Sequence, residues 1–190
     1  MPADSDSPAK TDHPAPAYAS RTIALVGLMG AGKSTVGRRL AERLGRKFYD
    51  SDHEIEKAAG LSVADIFTLH GEDDFRRGEQ RVLERLLGEE PHVLATGGGA
   101  YLNAQTRDLL REKAVTIWLN ADLETLWRRV QKKNTRPLLR RADARQVLEN
   151  LLIEREPIYA QADLVVYSKE GPHGTTVNAI LKALKSWEPA

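Results

Sequence analysis

The sequence contains no cysteine in its 190 residues. Disulfides, thiolate nucleophiles and cysteine-ligated zinc are therefore excluded, and the composition fits a reducing compartment such as the cytoplasm. The five histidines are scattered without the spacing of a metal site. The sequence also lacks any apolar run of the roughly eighteen residues that a membrane helix needs. We therefore expect a soluble, cytoplasmic protein without a transition-metal centre.

Neither sign of charge dominates the composition. Lysine and arginine number 28 against 27 acidic residues, which leaves a formal net charge of +1. Such a balance gives no general attraction to nucleic acid or to an anionic membrane, so we expect neither as a partner. Any recognition of an anion must depend on a local cluster of side chains.

Large apolar side chains are rare in residues 1–20, which carry four of the nine prolines. Such a segment cannot bury enough surface to offset the entropy of ordering it, so we predict a disordered extension over residues 1–20. It lacks the apolar core of a signal peptide, and its aspartates argue against a transit peptide. Residues 21–190 are long enough for one domain with a substantial core.

From Thr22 onward, short apolar runs alternate with stretches of helical spacing. The pattern predicts strands over 22–28, 47–50, 92–96, 114–120 and 162–168. It predicts helices over 34–45, 54–59, 123–133, 145–156 and 176–187, with residues 61–87 forming two helices interrupted near His70 and Gly71. Strands that alternate with helices indicate an α/β fold, in which helices cover both faces of a parallel sheet.

A phosphate loop, residues 27–34, lies between the first predicted strand and helix. Its sequence, GLMGAGKS, matches the pattern G-x-x-x-x-G-K-[ST] in the structural context that the pattern requires. Glycines let successive backbone N–H groups face phosphate oxygens, and the following helix adds partial positive charge. We expect a nucleoside triphosphate, with Lys33 on its β and γ phosphates and Ser34 on Mg²⁺. The predicted nucleotide-binding residues here are Gly30, Ala31, Gly32, Lys33, Ser34 and Thr35.

The chain has no N-K-x-D motif of the kind that reads guanine in regulatory GTPases. Together with a helical stretch directly after the second strand, this favours a small-molecule or nucleotide kinase. Asp50 and Asp52 end that strand, on the same side and at the carboxyl edge where ligands bind in such sheets. We assign Asp50 to the metal and Asp52 to the acceptor hydroxyl. The alternative is an acidic helix start, capped by Ser51 or Asp52.

Three further segments are candidates for the same site. Arg76 and Glu79 are neighbours on one helix face, so the carboxylate can hold the guanidinium in one pose, although an ordinary surface pair fits too. Gly97, Gly98 and Gly99 follow the third strand and allow close approach of a ligand, or form a simple flexible turn. In KKNTRPLLRR, Arg136 precedes a proline in a basic segment that either covers the phosphates or is merely solvated.

Taken together, these motifs resemble those of the shikimate kinases. GLMGAGKST, DSDHEIE, FRRGE, GGGA, RPLL and ER-x-PIY-x-x-AD occur in the order and approximate spacing of that family, over roughly residues 21–168. The resemblance implies a nucleoside monophosphate kinase-like fold with a five-stranded parallel sheet, a substrate-binding region near 51–87 and a lid near 131–143. It also implies transfer of the γ-phosphate of ATP to the 3-hydroxyl of shikimate, with Mg²⁺, by a monomer.

The resemblance also implies roles for individual residues. Asp50 holds magnesium through water, and Asp52 binds the shikimate hydroxyls and is the candidate base. The shikimate carboxylate is bound by Arg76 and Arg155, and the substrate is lined by Gly97, Gly98 and Gly99. Arg136 descends from the lid onto the phosphates, while Arg129 lies near the nucleotide. No adenine ligand is assigned, because SKEGPHGT over residues 168–175 has no sharp signature.

Two other functions remain open from the residues alone. A gluconate or nucleoside monophosphate kinase shares the phosphate loop and lid, but it has no evident need for GGG together with FRRGE. A non-catalytic P-loop protein that binds ATP to regulate a partner is expected to lose Lys33 or Asp52, and both are present.

Overall fold

The computed structural model describes residues 15–132, 143–169 and 171–189. Five strands in this part of the chain form one sheet in the order β2-β3-β1-β4-β5, and every neighbouring pair is parallel. The strands are β1 (Thr22–Val26), β2 (Phe48–Asp50), β3 (Val93–Ala95), β4 (Ala114–Asn120) and β5 (Leu164–Tyr167). The predicted five-stranded parallel sheet is therefore confirmed.

Seven helices connect and cover the strands in the described residues. They are α1 (Lys33–Leu44), α2 (Ser51–Ala59), α3 (Val63–Leu86), α4 (Ala104–Lys113), α5 (Leu123–Gln131), α6 (Ala144–Tyr159) and α7 (His173–Lys185). Two short 3-10 helices, Ala17–Ser20 and Ala100–Leu102, complete the assignment. None of the described helices combines the length and apolar character needed to cross a membrane.

The central strand, β1, explains why its sequence is uniformly apolar. It pairs with β3 on one side and β4 on the other, and all five of its residues are buried. A strand in this position has helices on both faces, so alternation of polar and apolar residues is lost. The strand ends at Val26 rather than at residue 28, because Gly27 turns the chain with a φ of 133°.

Several helices differ from the sequence prediction, and α7 begins at His173 instead of residue 176. Helix α2 begins at Ser51 instead of residue 54, because the Asp50 side chain caps it by accepting from the Asp52 N–H. Helix α4 was not predicted, although Asn103 marks its start by accepting from the N–H groups of residues 105 and 106. Helix α6 was predicted to stop before Pro157, yet it continues to Tyr159, whose side chain is buried and anchors the last turn.

Helix α3 contains the predicted interruption. Gly71 has φ 81° and ψ 176°, which is a non-helical conformation inside an otherwise continuous segment. Only glycine adopts such a backbone conformation at little cost. The break divides the segment after β2 into two helical parts, and the second part carries Arg76 and Glu79.

The chain joins the fold earlier than predicted. Residues Ala17–Ser20 form a 3-10 helix, whereas the whole segment 1–20 was expected to be disordered. The guanidinium of Arg46 donates to the carbonyls of Tyr18, Ala19 and Arg21, and it lies over the Tyr18 ring. These contacts supply the stabilisation that the composition alone does not reveal. Residues 1–14 of the predicted extension lie outside the described residues.

Candidate active site

The strand order brings three of the predicted motifs to one edge of the sheet. The phosphate loop follows β1, Asp50 and Asp52 end β2 and begin α2, and the glycine turn (residues 97–99) follows β3. Because β2, β3 and β1 are adjacent and parallel, their carboxyl ends lie side by side. A cleft of about 550 Å³ opens there and is lined by Met29, Gly30, Gly32, Lys33, Ser34, Thr35, Asp50, Asp52, Thr96, Gly98, Arg128, Arg129, Val130, Lys132, Gly171 and His173.

The phosphate loop has the backbone conformation that its glycines permit. Gly30 and Gly32 have φ angles of 84° and 95°, and Gly32 directly precedes the first turn of α1. A side chain at Gly30 would also place a Cβ atom 2.7 Å from the Val130 side chain. The Lys33 ammonium donates to the carbonyls of Gly27 at 2.7 Å and Leu28 at 3.1 Å. A lysine and a helix N-terminus thus lie at the same end of the cleft, where they suit bound phosphate.

The side chain of Asp50 links β2 to the phosphate loop. Its Oδ2 accepts from the Ser34 hydroxyl at 2.5 Å, while its Oδ1 accepts from the Asp52 N–H at 3.1 Å. A hydroxyl and a carboxylate are hard oxygen donors of the kind that Mg²⁺ prefers. In the described part of the chain, no three His, Asp or Glu side chains gather around a metal position. The pair therefore fits an ion that keeps most of its contacts with water and phosphate.

The helix-cap alternative for the two aspartates is resolved in favour of Asp50. The cap is the side chain of Asp50, and neither Ser51 nor Asp52 performs that role. Asp52 instead lines the cleft. Its Oδ1 lies 2.5 Å from the position that a Cβ atom would take at Gly97. The carboxylate of Asp52 thus lies against the glycine turn.

Arg76 is held by two carboxylates on its own helix. Its guanidinium contacts Glu79 at 2.7 Å and Glu72 at 3.3 Å, and the Glu79 side chain is only 3% exposed. Burial raises the pKa of Glu79, and the hydrogen bond and charge of Arg76 only partly oppose that rise. Burial by itself would lower the pKa of Arg76. The hydrogen bonds and charges of Glu79 and Glu72 have the larger combined effect, so the pKa of Arg76 is raised. The predicted pair is therefore a half-buried ion pair and not an ordinary surface contact.

The glycine turn leaves space for neighbouring side chains and has no unusual backbone conformation. Gly99 has φ −98° and ψ −13°, which other residues adopt readily. However, a Cβ atom at Gly99 would lie 2.5 Å from Nη2 of Arg76, and one at Gly97 would meet Asp52. Both charged side chains thus pack directly on bare backbone. The alternative of a simple flexible turn does not account for these contacts.

Helix α6 brings Arg155 and Tyr159 to the same turn. The Tyr159 hydroxyl donates to the Gly98 carbonyl at 2.5 Å. Burial raises the pKa of that hydroxyl, while the charges of Arg155 and Arg76 and a hydrogen bond from Arg155 act in the lowering direction. Nε of Arg155 is buried and has no hydrogen-bond partner among the described residues. Both arginines of the predicted carboxylate clamp therefore lie close enough to Tyr159 for their charges to act on its hydroxyl in the same direction.

Arg129 connects the phosphate loop to the loop before α7. Its Nη1 donates to the Ala31 carbonyl at 3.2 Å and to Oγ of Ser168 at 2.9 Å, and its Nη2 donates to the Lys169 carbonyl at 2.7 Å. The predicted position of Arg129 beside the nucleotide-binding loop is thus consistent with the structure. His173, which the sequence did not single out, lines the cleft. Burial lowers its pKa, as do the charges of Arg129 and Arg39.

Two further residues at the site were missed or assigned another role. Ser51 was considered only as a helix cap, but its Oγ accepts from the Gly97 N–H at 2.9 Å. Tyr159 was part of the ER-x-PIY motif without a role of its own. Ser51 could have been found from its position between the two aspartates. Tyr159 could have been found from its position one helical turn after Arg155. Arg136 lies outside the described residues, as does most of the predicted lid.

A comparison with protein families shows to which family the chain belongs. The family model described as shikimate kinase matches residues 29–185, which include every motif of the cleft after the first two residues of the phosphate loop. The chain belongs to the shikimate kinase family. It is therefore a kinase that uses ATP with Mg²⁺, as the sequence predicted.

Individual relatives agree with this shikimate kinase assignment. A shikimate kinase of Caulobacter vibrioides is 56% identical over 166 residues, covering 87% of this chain and 83% of the relative. The structure of a shikimate kinase from Acinetobacter baumannii in complex with shikimate has a TM-score of 0.84 and 40% identity, over 89% of this chain and 95% of that one. A gluconokinase from Sinorhizobium meliloti 1021, at 22% identity and a TM-score of 0.58 over 87% of this chain and 92% of that one, shares the fold alone.

Proposed function

We propose that this cleft transfers the γ-phosphate of ATP to the 3-hydroxyl of shikimate and gives 3-phosphoshikimate. The reaction is that of the shikimate kinase family and belongs to the route to chorismate and the aromatic amino acids. The observation that carries the proposal is the meeting of a phosphate loop, the Asp50–Asp52 pair and the Arg76-bearing helix at one sheet edge. Phosphoryl transfer depends mainly on such positioning and on charge stabilisation.

The nucleotide side of the cleft binds the triphosphate. The N–H groups of the phosphate loop and the first turn of α1 face the phosphates, and the Lys33 ammonium contacts the β and γ groups. Arg129 holds the loop by its contact with the Ala31 carbonyl. Ser34 and Asp50 are the residues that would hold magnesium, Asp50 through water. When bound, the ion supplies positive charge to the phosphate oxygens.

The acceptor side binds and orients the alcohol. Arg76 and Arg155 bind the planar carboxylate of shikimate, because two guanidinium groups match its geometry. Asp52 accepts hydrogen bonds from the ring hydroxyls and takes the proton of the attacking one. Gly97, Gly98 and Gly99 line the substrate, and the side chains of Asp52 and Arg76 pack against Gly97 and Gly99. Glu79 keeps Arg76 in place through its hydrogen bond.

The proposal also covers the lid arginine, the partners, the location and the oligomeric state of the protein. Arg136, from the lid near 131–143, would add charge stabilisation on the transferring phosphoryl group. The near-neutral net charge supports a protein that acts on a small molecule, without nucleic acid or membrane as a partner. The lack of cysteine supports a cytoplasmic location. We propose a monomer, as the resemblance implies.

The deciding experiment is a coupled assay of ADP release from Mg·ATP, with separate acceptors. We expect release with shikimate and none above background with gluconate or a panel of nucleoside monophosphates. Release with another acceptor would retain the kinase but reject the carboxylate clamp. Binding of ATP without release for any acceptor would favour a regulatory P-loop protein.

A second measurement tests the clamp itself. Arg76→Ala is expected to raise the KM for shikimate about 10- to 100-fold, since a charge-assisted hydrogen-bond pair is lost. Arg77→Ala is the matched control, because Arg77 is the next residue on the helix and pairs with the exposed Asp74. A loss of thermal stability with an unchanged KM would make Arg76 structural.

A further inference from the structure

Two buried hydroxyl groups hold the glycine turn from two different helices. Oγ of Ser51, the first residue of α2, accepts from the Gly97 N–H at 2.9 Å. The hydroxyl of Tyr159, the last residue of α6, donates to the Gly98 carbonyl at 2.5 Å. Ser51 is fully buried and Tyr159 is 1% exposed. The Ser51 bond is therefore shielded from bulk water, and the Tyr159 bond is shielded on the side of the phenol ring.

Two backbone hydrogen bonds also hold the turn in the described part of the chain. The Ala100 N–H donates to the Gly97 carbonyl at 3.2 Å, and the Leu102 N–H donates to the Gly99 carbonyl at 3.1 Å. Three successive glycines have no side chains to pack, and their backbone is the most flexible that a chain can have. The hydrogen bonds of the two hydroxyls thus tie this flexible backbone to α2 and α6.

The elements joined in this way are those that carry the acceptor site. Ser51 lies between Asp50 and Asp52, and Tyr159 lies one helical turn after Arg155. Asp52 in turn packs where a Cβ atom of Gly97 would lie, and Arg76 packs where one of Gly99 would lie. A shift of the turn would therefore displace the surfaces against which Asp52 and Arg76 rest. The turn is the common support of two acceptor-binding side chains, which come from α2 and α3.

We propose that Ser51 and Tyr159 are positioning residues for the acceptor, acting through the glycine turn. This inference rests on the proposed function, because it assumes that the acceptor binds against the turn. Each hydroxyl holds one backbone group of the turn, and that of Tyr159 also accepts a hydrogen bond from Arg155 of the same acceptor site. Loss of either hydroxyl should weaken binding of shikimate while leaving the nucleotide side unchanged, since the phosphate loop is held by other contacts.

The test is steady-state kinetics of Tyr159→Phe and Ser51→Ala, with ATP and shikimate varied separately. Each variant is expected to raise the KM for shikimate about three- to tenfold, the range for one net hydrogen bond, with the KM for ATP within twofold of the parent. The double variant should raise the KM by less than the product of the two effects, because both hydroxyls restrain one turn. Ser51→Thr keeps the hydroxyl, so its KM for shikimate should be closer to the parent value than that of Ser51→Ala.

Matched controls separate positioning from a general loss of stability. Tyr101→Phe also removes a buried phenol hydroxyl, from a ring that stacks on Tyr159 at 6.5 Å but places its hydroxyl beside Thr116. Thr22→Val removes a buried hydroxyl at the other end of β1. Both controls should lower the melting temperature without changing the KM for shikimate. An unchanged KM in Tyr159→Phe, or an equal rise in both KM values, would overturn the proposal.

A ligand-free measurement distinguishes this proposal from the proposed function. Hydrogen exchange of the Gly97 amide should accelerate in Ser51→Ala and in Tyr159→Phe, but not in Tyr101→Phe. If the parent enzyme fails to use shikimate, the proposed function is rejected, whereas the exchange rates still report on the turn. Unchanged exchange in both variants would reject the restraint itself, whatever the acceptor.

Discussion

Oδ2 of Asp50 lies 2.5 Å from the hydroxyl of Ser34, so the end of β2 is joined to the first turn of α1. The other oxygen of the same carboxylate caps α2. One side chain thus sets the distance between the phosphate loop and the helix that presents Asp52. The arrangement couples the nucleotide side of the cleft to the acceptor side.

The Ser34–Asp50 pair predicts an altered metal requirement. Ser34→Ala and Asp50→Asn should each raise the Mg²⁺ concentration needed for half-maximal turnover, because each removes an oxygen donor or its charge. We expect a shift of about tenfold, measured by titration of Mg²⁺ at saturating ATP. Ser62→Ala, which removes the exposed cap of α3, is the control and should titrate like the parent. Identical titrations for all variants would remove the pair from the metal site.

Lys33 is expected to be essential for turnover. Lys33→Ala should lower kcat by roughly 10²–10³-fold, because a positive charge is lost where negative charge develops. Single-turnover measurement of phosphoryl transfer checks this, and Lys182→Ala serves as the control, because it removes an exposed lysine of α7 that does not line the cleft. Arg136→Ala carries the same expectation from the sequence. Parent-like turnover in either variant would contradict the role assigned to that residue.

Asp52 is expected to affect both binding and rate. Asp52→Asn keeps the size of the side chain but removes the charge and the proton acceptor, so kcat should fall about 10²–10⁴-fold and the KM for shikimate should rise. Because the helix cap is Asp50, α2 should keep its stability in this variant. Near-parent kinetics would show that Asp52 has no role as an acceptor of the proton.

The glycine turn offers a steric prediction. Gly99→Ala places a methyl group 2.5 Å from Arg76 Nη2, so it should raise the KM for shikimate about tenfold or more by displacing the guanidinium. Gly78→Ala is the matched control, since no heavy atom lies within 4 Å of its Cβ position in helix α3. It should retain the parent KM and gain about 0.5–1 kcal/mol of stability. Equal KM values for the two variants would contradict the close contact.

Glu79 predicts a pH dependence of stability. Burial raises the pKa of its carboxyl in the folded protein, so the folded state binds the proton more tightly than the unfolded chain. The stabilisation that comes from binding this proton is fully present below about pH 4.3, the pKa of the carboxyl in the unfolded chain. It is lost as the pH rises through the higher pKa of Glu79 in the folded protein. The stability of the parent relative to Glu79→Gln should therefore fall as the pH increases over this range.

Urea unfolding from pH 4 to 8 measures this difference. Glu72→Gln is the control, because it removes the exposed carboxylate that pairs with the same arginine. A difference between the parent and Glu79→Gln that does not change with pH would contradict the effect of burial.

The sequence by itself determined the local features of this protein. These features depend on residues that are close together in the chain. They are the phosphate loop, the central strand β1, the break at Gly71 and the individual strands and helices whose alternation indicates a parallel sheet. Helix α6 shows the limit of such patterns. Pro157 predicts an end, but the helix continues because the distant Gly98 carbonyl binds Tyr159.

The tertiary structure alone decided how the motifs meet. Ser51 and Gly97 are 46 positions apart, and Tyr159 and Gly98 are 61 apart, so neither contact has a local pattern. No local pattern indicates that Asp50 caps α2, or that glycine lies beside Asp52 and Arg76. These relationships depend on the order in which β2, β3 and β1 pair, because that order determines which loops share an edge. Strand pairing is fixed by packing of the whole core, which no short stretch of sequence contains.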